Sequence, residues 1–443
     1  MPEGSAGTGV EQTGVGSYFV ANYPPFSVWT RDALSEARQA LGRPPVPGVP
    51  LGLYLHIPFC RKRCHFCYFR VYTNKNAREV ESYLDLLTKE WDMYVDSPAI
   101  AGRELDFVYF GGGTPSFLST SQLQSLVSRL KARAAWKPAA EVTFECEPGT
   151  LSESKLAALR EFGVTRLSLG VENFDDGILE LNGRAHRSPE IMRVYQQARS
   201  LGFPQINVDL IAGMLGETEE NWQACIERTV AMSPDSVTIY QMELPYNTTI
   251  SGNLLKGGND MGGTVPGWET KRRWVAEAFE ALERAGYYVG SAYTAVKNRT
   301  QTGFMYRDQL WEGADLAAIG VASFGHVNGV HLQNLDTWEK YAAALEDNQL
   351  PLGRAYRPSP DERLIREFIL QLKRGAVRPA YFEEKYGTDP LVRFRPQLAS
   401  LQSEGYLAEL SDDRIALTRP GLMRVDTLLH RFFLPEHSGI RYT

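Results

Sequence analysis

The chain is short of cysteine, of positive charge and of long apolar runs, and each shortage narrows what it does. Five cysteines in 443 residues, an odd number, argue against a secreted disulfide framework and for reduced thiols used in chemistry or metal binding. Lys and Arg number 47 against 53 Asp and Glu, a net charge of −6, so nothing draws the whole molecule to nucleic acid or to an anionic membrane, and the local run RKRC is too short to reverse that. No stretch of about 18 apolar residues is present, and the start MPEGSAGTGVEQTG lacks a basic region followed by an apolar core. A soluble cytoplasmic protein is the expectation. With 43% hydrophobic residues there is apolar material for a large core and more than one domain.

Three regions follow one another. Residues 1–48 read as an N-terminal extension: a Gly/Ser-rich start expected to fray, the aromatic and proline-bearing segment YFVANYPPFSVW (18–29), the helical pattern RDALSEARQAL, and a breaker-rich exit that runs on to residue 50. Over 49–345, short apolar runs alternate with amphipathic stretches: LGLYLHI then EVESYLDLLTKEWDMY, LDFVYFGG then SQLQSLVSRLKARA, EVTFECEP then SESKLAALREFG, RLSLGVE then SPEIMRVYQQARSLG, INVDLIAG then TEENWQACIERTVAM, SVTIYQM then ETKRRWVAEAFEALERAG. Six strand-then-helix units predict an α/β fold of parallel strands with helical crossovers, a partial (β/α)6 barrel, with chemistry at the C-terminal strand ends. Residues 346–443 read as helices followed by a hairpin, YLAELSDDRIALTRPG, a C-terminal winged-helix-like domain.

The stretch HIPFCRKRCHFCYF places Cys60, Cys64 and Cys67 in the first loop after a strand. Three thiolates suit an iron–sulfur cluster, since soft sulfur matches iron and leaves one iron open; a structural zinc wants a fourth ligand. His65 offers a Cys3His zinc site as the alternative, though its place between Cys64 and Cys67 makes ligation awkward. Cys146 and Cys225 read as buried small apolar residues. Gly111, Gly112 and Gly113 end the second strand, where glycine permits close backbone approach. Glu145 and Glu147 alternate onto one side of the third strand, Glu147 fitting a solvated acid at the next helix. Glu172 closes the fourth strand, Arg184 follows it, and Asp209 lies inside the apolar fifth, where an acid needs a hydroxyl or basic partner. His326, in FGHVNG, reads as a hydrogen-bonded loop residue near the expected site.

The C-x3-C-x2-C spacing resembles the signature of radical S-adenosylmethionine (SAM) enzymes, and YLHIPFCRKRCHFC is similar to their oxygen-independent coproporphyrinogen III oxidase-like branch. VYFGGGTPSFL, EVTFECEPGTL, RLSLGVENFDD, NVDLIAGMLGETEENW, IGVASFG and LDTWEKYAAAL agree in order, over about residues 50–430. The resemblance implies a [4Fe-4S] cluster on Cys60, Cys64 and Cys67, and one SAM molecule, or more readily two, contacted by Tyr54, Phe66, Gly112, Gly113, Thr114, Glu145, Glu172, Arg184, Asp209 and Glu243. It also implies a small-molecule or tetrapyrrole substrate and an electron donor such as flavodoxin or ferredoxin.

The chain departs from that pattern at Phe69, where the branch carries a further cysteine, at Glu172 for glutamine, and at Met214-Leu215-Gly216 for Leu-Pro-Gly. These departures favour the carbon-transfer members of the family, so the expected activity is methyl or methylene transfer to an sp2 carbon, with two SAM molecules and an associated methyltransferase as partner. Oxidative decarboxylation of a coproporphyrinogen is the alternative, and a heme chaperone the second.

Overall fold

The computed structural model describes residues 13–17, 19–257, 261–300 and 303–440. The start expected to fray falls mostly on 1–12 and so lies outside the described residues, as does Tyr18.

Six strands form in the predicted places: β1 (Leu51–Ile57), β2 (Leu105–Gly112), β3 (Trp136–Cys146), β4 (Arg166–Glu172), β5 (Gln205–Ala212) and β6 (Ser236–Gln241). They lie side by side in that order and all run parallel. Leu53, Leu55 and Ile57 of β1 are fully covered, as expected of a strand sandwiched between layers; each such side chain contributes roughly 1.5–3 kcal/mol of burial. Helices return the chain between strands, and their starts carry the local signal for it. Asn76 and Glu79 form a reciprocal capping box on the helix Ala77–Val95, and Ser119 and Gln122 do the same for Thr120–Arg133. The two helices lean together where Trp91 Nε1 donates to the Leu130 carbonyl at 3.3 Å.

The sheet is larger than the six units. At one edge it gains the antiparallel pair β7 (Tyr288–Val289) and β8 (Thr294–Val296). At the other, β9 (Asp315–Ile319) adds a further parallel strand beside β1, followed by the antiparallel β10 (Phe324–Val327), β11 (Val330–Asn334) and β12 (Leu352–Tyr356). The twelve strands run from β12 to β7 in one open sheet. Because β12 pairs with β11, the sheet reaches into the stretch expected to begin the C-terminal domain at 346.

Beyond it stand the helices Pro360–Leu372, Pro379–Tyr386 and Arg395–Ser403, with a small sheet in which β13 (Ala376–Val377) pairs with β15 (Ile415–Leu417) and β15 with β14 (Leu407–Leu410). This is the helix-and-hairpin pattern read from the sequence. The described part of the N-terminal extension is tied to the C-terminal region: Val20 N donates to Asp426 Oδ1 at 2.9 Å, Leu434 N to the Tyr23 hydroxyl at 3.0 Å, and the Tyr23 and Phe433 rings lie 4.7 Å apart. Among the described residues no helix is long and apolar enough to cross a membrane.

Candidate functional site

β1 ends at Ile57 and delivers the chain into the cysteine loop, which is stitched to its surroundings by backbone. Tyr72 N donates to the Pro58 carbonyl at 2.7 Å, Cys60 N to that of Tyr72 at 3.2 Å, and His65 N to that of Asn182 at 3.0 Å. The His65 ring is engaged with the Leu181 carbonyl at 2.9 Å, and among the described residues no three His, Cys, Asp or Glu side chains are placed to hold a single metal ion. A Cys3His zinc site therefore has no geometric support. Three partly exposed free thiols remain, and burial pushes Cys60 up to about 11 and Cys67 up to about 12, which keeps both as neutral thiols until a metal takes the place of the proton. A cluster whose irons each take one thiolate fits this donor set. Cys146 and Cys225 are buried, as expected.

The glycines after β2 make room for this loop. Gly113 N donates to the Ile57 carbonyl and Thr114 N to that of Phe59, each at 2.8 Å, and the Thr114 hydroxyl reaches Cys60 Sγ at 3.3 Å. A Cβ on Gly113 would sit 2.8 Å from the Ile57 oxygen and 2.9 Å from that of Phe59. Gly112 has φ +108°, and a Cβ there would meet the His56 ring at 2.5 Å. The close approach that glycine permits is spent on the cysteine loop itself.

Four carboxylates line up along the strand ends. Glu145 accepts from the Tyr109 hydroxyl at 2.6 Å and from Gly112 N at 3.1 Å, yet burial pushes it up to about 7. Burial also pushes Glu172 up to about 7, with Arg184 Nη2 at 3.5 Å opposing; its φ of +63° is unusual for a residue with a Cβ. Arg184 donates through Nη1 to Cys64 Sγ at 3.3 Å and through Nη2 to the Gly170 carbonyl at 2.7 Å. Asp209 finds the hydroxyl its burial demands in Ser168 at 2.7 Å, together with the Asn207 amide at 2.9 Å. Glu147 is the correction. It is buried, not solvated, and Arg61 of the cysteine loop forks it at 2.7 and 3.0 Å. Burial opposes its ionisation, but His186 and that fork outweigh it and bring the carboxyl down to about 2.

Three thiols, a glycine-backed loop and acidic side chains thus meet at the C-terminal ends of β1 to β5. Residues 54–229 match the radical SAM superfamily. The chain carries a radical SAM domain.

The heme chaperone HemW of Bacillus subtilis is 28% identical over 375 residues, covering 83% of this chain and 95% of that protein. The oxygen-independent coproporphyrinogen III oxidase of Pseudomonas aeruginosa is 27% identical over 412 residues, covering 89% and 83%. The solved coproporphyrinogen III oxidase HemN of Escherichia coli shares the fold, with a TM-score of 0.81 at 23% identity over 95% of this chain and 99% of that one. The superfamily implies a [4Fe-4S] cluster and SAM. These relatives lend nothing to methyl or methylene transfer, nor to a methyltransferase partner. The main ground for that expectation, Phe69, is an exposed ring set against Tyr68, 4.5 Å between centroids, at the edge of the site.

One cavity of about 900 Å3 opens at the thiols of the radical SAM domain, near the upper end of the roughly 300–1,000 Å3 usual for small-molecule sites. Of the residues that the resemblance implies for the cluster and SAM, all line it except Tyr54. Tyr54 stands behind Tyr109, their rings 5.8 Å apart, with its hydroxyl 3.3 Å from His56 Nδ1. His326 is elsewhere as well: it pairs with His331 at 2.9 Å inside the β10–β11 hairpin. The sequence reading missed Tyr109, which its period-two alternation with Gly111 flags, and Arg166, Tyr240 and Tyr293. It also missed the roof, where Phe19, Met423, Arg424, Asp426 and His430 close the cavity from the two ends of the chain. No local pattern marks those residues.

Proposed function

We propose that the chain oxidises a propionate side chain of a porphyrinogen to a vinyl group with release of carbon dioxide. The observation that carries this reading is the single cavity running from the thiols to a roof of aromatic and cationic side chains. Bound at Cys60, Cys64 and Cys67, the cluster and SAM supply a radical that abstracts hydrogen. On this reading Glu145, Glu172, Arg184 and Asp209 hold SAM beside the thiols, their charges and hydroxyl partners suited to its ammonium, carboxylate and ribose groups. Tyr240, Tyr293 and Phe304 line the remaining volume with apolar faces for a large ring, and Arg63, Arg272 and Arg424 border it as partners for peripheral carboxylates. Hydrogen loss, electron loss and decarboxylation balance if one electron leaves to an external acceptor, so a one-electron partner is required in each direction. The names of the oxidase relatives support the same assignment.

The test is anaerobic incubation of reconstituted protein with SAM, reductant and coproporphyrinogen III. Carbon dioxide and a vinyl product, with 5′-deoxyadenosine, bear the proposal out. Deoxyadenosine carrying deuterium from methyl-labelled SAM, without carbon dioxide, would return carbon transfer; heme retention with neither product would put the chain with the chaperones.

A further inference from the structure

The cavity reaches below the thiols, and at its floor stands a cation with no partner in the fold. Arg166 opens β4, and Arg166, Ser168, Gly170 and Glu172, alternate residues of that strand, all line the cavity. The Gly170 carbonyl marks the level of the thiols, since Arg184 spans from it to Cys64 Sγ. Arg166 lies four residues earlier in the strand, about 13 Å lower at about 3.3 Å per residue. It is 2% exposed, yet among the described residues its guanidinium makes no hydrogen bond and no ion pair, and of its three nitrogens only Nε is closed off. Both Nη groups thus open on the cavity with their donors unused.

The acids near enough to feel this charge are occupied with other donors. Glu141 accepts from Met305 N at 2.9 Å and Tyr306 N at 3.1 Å, Glu145 from the Tyr109 hydroxyl and Gly112 N, and Asp209 from Ser168 and Asn207. Burial raises all three carboxyls towards their neutral forms, which weakens them as counter-charges. Phe304 packs its ring 4.1 Å from Arg166 Cζ and 5.6 Å from that of Arg307, but Arg307 is matched by Asp308 at 2.7 Å. Arg166 is the open charge of the floor. Water in the cavity can serve its N–H groups but brings no counter-charge; a carboxylate brings both, its two oxygens matching the guanidinium fork. We propose that Arg166 binds a carboxylate of the substrate at the cavity floor and so sets how deep the substrate sits below the thiols. The inference rests on the porphyrinogen reading above and deepens it. A macrocycle with acid side chains around its rim rests one edge on Arg166 and turns the opposite edge, with the side chain that reacts, towards SAM.

The experiment measures equilibrium binding of coproporphyrin III, and of the same ring with its carboxylates capped as neutral amides, to the anaerobic full-length protein by fluorescence. Wild type, Arg166→Met and Arg166→Gln are compared after their melting temperatures and iron contents are checked, and SAM affinity is measured on each. The expected result is a loss of at least tenfold for the acid ring in Arg166→Met with little change for the amide, and a smaller loss of the same kind in Arg166→Gln. Damage to the fold would weaken both rings alike. An acid-to-amide ratio that stays at the wild-type value in Arg166→Met, or in Arg166→Gln should the first variant fail to fold, overturns the inference and leaves the tetrapyrrole reading standing. So does a loss of SAM affinity in place of ring affinity, which gives Arg166 to SAM. Binding of neither ring by wild type overturns the tetrapyrrole reading, and this inference with it.

Discussion

Arg184 Nη1 lies 3.3 Å from Cys64 Sγ, a permanent positive charge set against one thiol of three while its other nitrogen is fixed to the Gly170 carbonyl at 2.7 Å. Hydrogen bonds and positive charge at a cluster sulfur raise the reduction potential. The couple shifts by the difference in that bond's strength between the two oxidation states, at most roughly 60–130 mV for a charge-assisted bond of about 1.5–3 kcal/mol. Arg184→Met in the reconstituted protein should therefore titrate at a more negative potential, by up to that amount. A rise, or no change, would show that Arg184 does not act on the sulfur.

Each of the three cysteines should be indispensable to the metal centre. Cys60→Ala, reconstituted with iron and sulfide, should hold well below the about four irons of a complete [4Fe-4S] cluster and lose the broad visible absorption of the wild type. The corresponding change at Cys225, buried and not among the residues lining the cavity, should leave both intact. Equal iron in the two variants would remove the cluster from this loop.

Gly113→Ala tests the stitch between the two loops. Its Cβ would press on two carbonyl oxygens at 2.8 and 2.9 Å, both backbone and unable to rotate away. Overpacking of this kind costs about 1–3 kcal/mol, visible as a lowered melting temperature. Because the same carbonyls flank Cys60, iron uptake should slow as well. An unchanged melting curve would mean the loops are more yielding than their hydrogen bonds indicate.

Glu90 supplies a pH signature away from the site. It is buried, and that burial pushes it up to about 8 even though the Tyr341 hydroxyl, Gly320 N and the Asn334 amide all donate to it. The unfolded carboxyl titrates near 4.5, so between that value and about 8 the unfolded state binds fewer protons than the native one and stability falls as pH rises. Glu90→Gln removes this proton exchange. The stability of wild type relative to the variant should decline by about 1.4 kcal/mol for each pH unit crossed in that window, and stay level above it. A flat difference in denaturant titrations from about pH 5 to about pH 8 would show that Glu90 is already ionised in the fold.

Asp426 anchors the roof. Lys373 is 2% exposed and takes Asp426 as its ion-pair partner at 2.9 Å, so Asp426→Ala strands a buried charge at a cost of about 3–5 kcal/mol. The N-terminal segment loses the acceptor for Val20 N at the same time. Limited proteolysis should then cut near residue 20 in the variant before it cuts wild type; identical digestion would place the anchor elsewhere.

Much of the core was legible because its signals are local. The βα alternation repeats along the chain, and each βα unit keeps its period and its cap, as Asn76 with Glu79 shows. β9 was missed because DLAAI is a short run with no crossover helix after it; only its pairing with β1 makes it a parallel strand. Glu147 was misread for want of Arg61, 86 positions earlier, without which an acid after a strand looks solvated. His326 was placed by its motif near the active end, but its partner His331 and the stacked Trp29 ring, 4.9 Å from His331, make it part of a buried hairpin. Tyr54 was carried over by resemblance, and here Tyr109 stands between it and the cavity. Residues that close the roof are joined only by the fold.

Those roof contacts join positions 406 and 411 residues apart in Val20 with Asp426 and Tyr23 with Leu434. During synthesis the cysteine loop, β2 and the acidic strand ends emerge hundreds of residues before Asp426 does. The contacts that hold this cover can therefore form only after Asp426 and Leu434 have been made.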